Sequence, residues 1–600
     1  MKIAMKNDPI DPITLEVVRN RLDAIAQDMQ DALVRSGYSN IIKEGHDCSA
    51  SLFDAKGELI AQATALPAQL GVLPPAVQRV LQTYSPEDMA EGDVFILNDP
   101  YDGGTHLPDI ALVTPVVFEG RTVAIAACIA HHQDVGGKTP GSLPTDSTDI
   151  YQEGLRIPLA RLYEAGKPND LLHAIIERNV RIPEIVLGDL RAQLAALHVG
   201  KTRLADLMGE YGAEQASCYF DELLDRAEEL TRRSIGKLRA GTYSFEDYLD
   251  DDGIVRNKLV KIRATVTISE RDLHIDFTGT DEQLKGPVNA DCSAVLSSVY
   301  FVVKSITDPA APNNGGCYRP IRVTLPEGTV VNPRPPAPVN GRTITMKRIS
   351  DTILGALVRA MPDEMPAAPG GVTRVMVFGG FDLESGRQFV CTDFSTSGTG
   401  GQPSQDGVDA LETDIANTMN MPVESLELHY PVRVRRNALW QDSGGAGRWR
   451  GGLGVEREIE IMRGEVTLTL REDRHHSQAW GLYGGCPPPF AHSNIRRAGG
   501  ETEPIESKGV FTLRAGDTIH CWGPGGAGYG DPFARNQERV LEDVMDGKIS
   551  IAAARASYGV VVDPKTKMVD EDATTAERST LAEKRGAITW TYDRGEMGRS

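Results

Sequence analysis

A multidomain α+β fold, with mixed or antiparallel sheets and helical segments ahead of a β-rich, glycine-rich C-terminal half, is what this 600-residue sequence predicts. Three observations predict it. The chain is too long for one core, so roughly two to four domains are expected. Apolar residues recur at helical spacing near the N-terminus and again between Asp170 and Arg239. After Val372 the pattern changes to short strand-like runs separated by glycine clusters: SGTGG, DSGGAGRWRGGLG, GLYGG and GPGGAGYGDP.

The elements follow in order. Asp11 caps the first helix and Pro12 occupies its first turn. Ile13, Val17, Val18, Leu22, Ile25, Met29 and Leu33 line one face up to Ser36-Gly37. CSASLFDAKGELIAQ reads as two short strands around a turn at Asp54 to Gly57. A hairpin lies between Asn98 and Asp134, and the helical stretch to Arg239 closes an α+β domain, residues 1–240. At Gly241 the composition shifts. VKIRATVTISERDLHIDFTGT alternates like strands, and GPVNADCSAVLSSVYFVVKSI has the apolar content of a buried helix. With the Pro-rich loop PEGTVVNPRPPAPVNGR these form a mixed α/β domain, residues 241–370. The β-rich glycine-containing domain spans 371–535. A C-terminal segment, 536–600, begins with a helix and ends in a charged tail expected to fray.

Composition is that of an ordinary globular protein, 40% hydrophobic and 24% charged. The net charge of −21 argues against nucleic acid or an anionic membrane as partner. Eight cysteines are scattered without a C-x-x-C pair, so neither a zinc cluster nor a disulfide framework is expected. Cys48 reads as a buried free thiol. The segment MKIAMKNDPIDP lacks the apolar core of a signal peptide, and no run reaches the roughly 18 apolar residues of a membrane span. Cytoplasmic residence is the expectation.

The most informative stretch is NDPYDGGTHLPDIALVTPVVFEGRTVAIAACIAHHQD. Two apolar runs flank Glu119-Gly120, the signature of a hairpin with a two-residue turn. Facing residues then have numbers summing to about 239. Asp109 and His131 come almost opposite at the open end, with Cβ atoms roughly 5 Å apart. His106 sits three residues before Asp109 in a Gly-rich turn that can fold back over them. Two imidazoles and a carboxylate at one point suit a catalytic divalent metal with an open position for water. Zn, Mn and Fe fit this donor set equally. Asp47 is a further carboxylate, a fourth ligand or holder of a second ion. His132 points away from His131 by strand alternation but adjoins the site. Asp134 is placed to orient an imidazole. His132 and Asp134 are the candidates for general base or supporting roles.

Other motifs carry less. Gly523, Gly525 and Gly528 match G-x-G-x-x-G, but Pro524 interrupts it and no helix follows, so they read as turns needing positive φ. There is no P-loop, G-x-S-x-G elbow or H-E-x-x-H. His475-His476 point to opposite faces if the segment is a strand, which favours a structural or interface role.

The strings DPITLEVVRNRL, NDPYDGGTHLPDI, AHHQDVGG, YQEGLRIP, GPVNADCSAV, PNNGGCYRPI, DSGGAGRWRGGLG and GPGGAGYGDPFAR occur in this order from about Ile10 to Val560. In them the chain resembles the hydantoinase B/oxoprolinase family. The resemblance implies a B-type subunit that works with a hydantoinase A-type ATP-binding subunit in a hetero-oligomer. It implies opening of small cyclic amides (hydantoins, 5-oxoproline or lactams) whose carbonyl the partner phosphorylates. The family's H-x-x-D…H metal motif falls on His106, Asp109 and His131. Two departures stand out: Asp47-Cys48-Ser49 where the family commonly has Asp-Phe-Ser, and Gln69 where it often has His. A subunit of an ATP-dependent ketone carboxylase, and a scaffold with a structural metal, are the alternative readings.

Overall fold

The computed structural model describes residues 10–309 and 311–599. The first helix, Pro12–Ser36, begins where Asp11 accepts the backbone N–H groups of Ile13 and Thr14, and it buries Leu15, Val18, Leu22, Ile25, Met29 and Leu33. Its apolar stripe packs on a seven-stranded antiparallel sheet. The strands are β1 (Cys48–Asp54), β2 (Leu59–Gln62), β3 (Val94–Leu97), β4 (Asp109–Phe118), β5 (Arg121–His131), β6 (Ala160–Glu164) and β7 (Lys167–Pro168). Their order is β2-β1-β5-β4-β3-β6-β7, which puts the β4/β5 hairpin near the middle.

Both faces of that hairpin are covered, and the alternation is strict. Ala124, Ala126, Cys128 and Ala130 join Ile110 and Leu112 in a core closed by the helices Pro12–Ser36, Pro183–Tyr211 and Ala213–Ile235. Ile125, Ala127 and Ile129 join Ala111 and Val113 in a second core closed by the helix Leu73–Thr83. Small residues on the first face let the long helix Pro183–Tyr211 approach closely, where Gln193 donates to the Ile110 carbonyl at 2.8 Å.

Strands β8 (Gly241–Leu249), β9 (Val260–Ser269), β10 (Asp272–Asp276) and β11 (Ile321–Thr324) form a second sheet. It packs on the helices Cys292–Ile306 and Arg342–Leu357 in one core that also takes in Trp480, Leu482 and Tyr592. Two further sheets lie face to face. One holds β12 (Arg374–Asp382), β13 (Arg387–Ser395), β16 (Glu465–Arg471) and β20 (Lys508–Arg514). The other holds β14 (Val432–Leu439), β15 (Val455–Ile461), β18 (His492–Arg496), β19 (Thr502–Ile505) and β21 (Thr518–Trp522). Met376, Phe378, Leu468, Ile459 and Ile519 share the core between them.

The glycine clusters do something other than turn. Segments around Gly398–Gly401, Gly444–Gly454 and Gly523–Gly528 run side by side without forming strands. Gly445 N–H donates to the Gly526 carbonyl at 2.8 Å, Gly526 to Gly452 at 2.8 Å and Gly452 to Thr399 at 2.8 Å. None of these glycines has a positive φ. A Cβ on Gly526 would run into the Thr399 carbonyl, and one on Gly452 into the Val408 carbonyl. The expectation of positive-φ turns is therefore corrected: glycine is needed here for close backbone approach.

The C-terminal segment also differs from expectation. After the helix Glu571–Arg585 the chain returns, and β22 (Tyr592–Asp593) pairs with β17 (Gly481–Leu482). Tyr592 is buried and its hydroxyl donates to the Gly355 carbonyl at 2.8 Å. One aromatic residue outweighs the charged composition around it and ties the tail down. Cys48 is buried as expected, and all eight cysteines are free thiols. His475-His476 lie in a loop beyond β16, where His475 Nε2 contacts Glu472 Oε2 at 3.0 Å and His476 is exposed.

Candidate metal centre

The hairpin register brings the predicted cluster together. Phe118 faces Arg121 and Val117 faces Thr122, then a bulge between Val116 and Val117 shifts the pairing by one. Facing numbers now sum to 240, and Asp109 stands directly opposite His131. Both belong to the face of Ala111, Val113, Ile125 and Ile129. The turn Gly103–Pro108 folds back so that His106 completes the group; Asp109 N–H donates to the His106 carbonyl at 3.0 Å.

Asp109 Oδ1 lies 2.8 Å from His106 Nε2 and 3.0 Å from His131 Nδ1. The two ring nitrogens are 3.2 Å apart. All three side chains are buried. A triangle with these sides has a point about 2.1 Å from every corner, which is the bond length of such ligands to a divalent ion. Hydrogen bonds satisfy the set poorly, because the two nitrogens cannot donate to each other while both donate to one oxygen. The donor chemistry and the spacing therefore fit a divalent metal. One feature is unusual for such a centre: His106 Nδ1 is buried and has no hydrogen-bond partner.

Charge around the cluster is organised by Arg342, at the start of the helix Arg342–Leu357. Its Nη2 donates to Asp109 Oδ2 at 2.6 Å and its Nε to Thr105 Oγ1 at 2.7 Å. Burial works against ionising Asp109, but the neighbouring His106 and Arg342 more than offset it and hold the carboxyl well below its usual value. Burial, reinforced by Arg342, pushes His106 down to about 3, so its imidazole is neutral and keeps a lone pair for a cation. Thr105 Oγ1 in turn donates to Asp291 Oδ1 at 3.2 Å. Replacing Arg342 by Met should leave a buried carboxylate without its cation, at a cost of about 3–5 kcal/mol. Thermal unfolding of metal-free R342M should fall by several degrees; an unchanged transition would show that the histidines alone carry Asp109.

A cavity of about 50 Å³ adjoins the cluster. His106, Asp109 and His131 line it with Asp47, Gln69, Arg342 and Arg471, and the segment Ile415–Thr418 covers it. Asp47 stands beside the triad but outside its ligand set. Its Oδ1 accepts Gln69 Nε2 at 3.0 Å, and its backbone carbonyl accepts His131 N–H at 3.0 Å. Burial, with the Asp109 charge, outweighs the opposing influence of His131 and Arg342 and raises Asp47 to about 6.

His132 and Asp134 are not brought to the cavity. His132 follows the even-numbered face toward the helix Pro183–Tyr211, where Nε2 meets Gln193 Oε1 at 3.0 Å. Asp134 accepts Gly136 N–H, Gly141 N–H and Arg181, at 2.9–3.0 Å. It holds the loop together and touches neither ring. The expectation of base or orienting roles for these two is corrected on that geometry. Arg342 and Arg471 were missed. They come from segments more than 200 residues away in sequence, and no local pattern marks them.

Comparison with known proteins agrees with this architecture. The family model described as hydantoinase B/oxoprolinase matches residues 11–532. The putative B subunit of the D-/L-hydantoinase of Pseudomonas sp. strain NS671 is 33% identical over 92% of this chain and 95% of its own length. The beta subunit of the caprolactamase of Pseudomonas jessenii is 33% identical over 95% of this chain and 99% of its own. The 5-oxoprolinase of Dictyostelium discoideum is 30% identical over 87% of this chain, which matches only 40% of that longer protein. The crystal structure of the ATP-dependent caprolactamase from Pseudomonas jessenii superposes with a TM-score of 0.87 over 95% of this chain and 100% of that one, at 31% identity. An acetone carboxylase structure has the same fold, with a TM-score of 0.90 over 96% of this chain and 83% of that one, at 20% identity. No helix among the described residues is long and apolar enough to cross a membrane. From its own residues and from these likenesses, the chain belongs to the hydantoinase B/oxoprolinase family.

Proposed function

We propose that this chain is the hydrolytic, B-type subunit of an ATP-dependent cyclic amidase. The observation that carries the reading is the buried His106–Asp109–His131 triangle at the wall of a small cavity. The relatives supply the substrate class: a hydantoinase subunit, a caprolactamase subunit and a 5-oxoprolinase are all named for cyclic amides. The long 5-oxoprolinase carries a match to this chain in only 40% of its length. The relatives matched over 95% and 99% of their own length are themselves named as subunits, which supports an ATP-using partner of the hydantoinase A type.

Amide resonance makes a ring carbonyl a poor electrophile. Phosphorylation of that carbonyl oxygen by the partner removes the difficulty before the ring reaches this subunit. His106, Asp109 and His131 would hold a divalent ion (Zn, Mn or Fe). Such an ion, when bound, makes hydroxide available near neutral pH. Arg342 keeps Asp109 ionised, and burial keeps His106 neutral. Asp47 takes the role of proton acceptor that sequence alone gave to His132 or Asp134, because its carboxylate lines the cavity and theirs do not. Gln69 holds one oxygen of Asp47 and thereby orients it.

The test is purification with the ATP-using partner and a panel of substrates. Hydantoin, 5-oxoproline or caprolactam should open with stoichiometric ATP consumption. Turnover of acetone with bicarbonate instead would favour carboxylation, a chemistry named for a protein of the same fold. Ring opening by this chain alone, without nucleotide, would sink the partner claim. A metal that occupies a closed four-ligand site in the holo-protein would favour a scaffold.

A further inference from the structure

Eight arginines are buried among the described residues. Seven have a carboxylate partner: Arg342 with Asp109, Arg348 with Asp351, Arg374 with Glu472, Arg450 with Asp409, Arg457 with Asp393, Arg474 with Asp351 and Arg535 with Asp543. Arg471 is the exception. It is 6% exposed, it lines the cavity beside the triad, and no carboxylate among the described residues pairs with it. Its Nη1 donates to the Asn340 carbonyl at 2.9 Å, and its Nε has no partner. An unpaired cation removed from water is costly unless something compensates it. Arg342 makes matters worse: burial and then the Arg342 charge push Arg471 down, yet only to about 10, so it stays charged at neutral pH.

The guanidinium is held in place. It sits at the end of β16, opposite Val375 of β12. Asn340, which receives its Nη1 hydrogen, is fixed by the buried carboxylate of Glu153 at 2.8 Å and by the Pro144 carbonyl at 2.8 Å. A rigid fork without a carboxylate partner, at the wall of a small cavity, is suited to receive an anion. The cavity, about 50 Å³, holds roughly four water-sized groups. That is the size of a tetrahedral oxyanion, and since Asp109 already offsets Arg342, Arg471 is the guanidinium of the cavity that no carboxylate pairs with.

We propose that Arg471 is the phosphoryl-recognition residue of this cavity, receiving the oxygens of the phosphorylated substrate, or of the phosphate released from it, opposite the His106–Asp109–His131 triad. The assignment rests on the reading of this subunit as acting on a phosphorylated carbonyl. It makes Arg471 a binding residue for the phosphoryl oxygens and leaves the reacting ring to the rest of the pocket.

The experiment uses the metal-free full-length chain and inorganic phosphate at constant ionic strength, read by calorimetry and by the shift in thermal unfolding. Wild-type chain should bind phosphate saturably, and matched acetate should leave it unmoved. R471Q should bind roughly tenfold to a hundredfold more weakly, the worth of charge-assisted hydrogen bonds. R471K, which keeps the charge without the fork, should fall between. No saturable phosphate binding by wild type, equal binding by R471Q, or acetate binding as tightly as phosphate would each overturn the proposal. If R471Q does not fold, the wild-type titration and R471K still decide it. These measurements need neither partner nor cyclic amide, so a failure of ring opening in the complex and a failure of phosphate recognition are separate results.

Discussion

His106→Ala and His131→Ala should each lose bound metal and ring-opening activity together, while His132→Ala keeps the metal. The contrast between neighbours is what makes the result informative. His131 and His132 are adjacent on one strand end and both are buried, so a general loss of folding would affect them alike. Only His131 faces the cavity; His132 faces Gln193 across the other core. Metal content by elemental analysis should drop from stoichiometric to trace in the two cavity variants. Activity in the complex should fall by more than the roughly 10–100-fold typical of a lost outer-shell contact. His132→Ala leaves Gln193 Oε1 without that partner and should lower the unfolding temperature without releasing metal. Full metal occupancy in both H106A and H131A would reject the centre outright.

The cluster is legible in the sequence because it is a consequence of strand register. Apolar alternation on both sides of Glu119-Gly120 fixes which residues face each other, and the pairing runs out at Asp109 and His131. The bulge beside Val116 is not legible, yet it moves the pairing by only one and improves the alignment. Parity also carries the information that His132 cannot share the site, and proximity in sequence is the wrong guide for it and for Asp134. The charge frame is beyond reach for a different reason. Arg342 and Arg471 arrive from other sheets and helices, and a lone arginine in sequence says nothing about which carboxylate it will meet or lack. Asp47 is placed near the site by sequence but with no fixed role, since only the contact with Gln69 orients it. At the C-terminus, charge suggests fraying, whereas burial of Tyr592 decides the outcome.

The glycine-rich layers yield the second large effect. Gly526→Ala should abolish soluble, folded chain or lower its unfolding temperature drastically, whereas Gly499→Ala should be neutral or slightly stabilising. Removing a glycine normally helps: restricting the unfolded chain gains about 0.4–1 kcal/mol where the native backbone tolerates a side chain. Gly499 meets that condition, with a φ that is not positive and nothing within 4 Å of where a Cβ would stand. Gly526 also has an ordinary φ, so backbone strain does not distinguish the two. Space does. The added methyl at Gly526 would overlap the Thr399 carbonyl and crowd the Gly400 amide, and both belong to backbone that cannot rotate away like a side chain. Relief requires separating segments that the Gly445–Gly526, Gly526–Gly452 and Gly452–Thr399 hydrogen bonds hold together. Each broken bond leaves a buried donor and acceptor unsatisfied, at about 1–3 kcal/mol per group. The loss therefore spreads along the layer and exceeds the roughly 1–3 kcal/mol cost of overpacking a side-chain core. Equal unfolding temperatures for the two variants would mean that these segments can part freely, and that the glycines serve some purpose other than close approach.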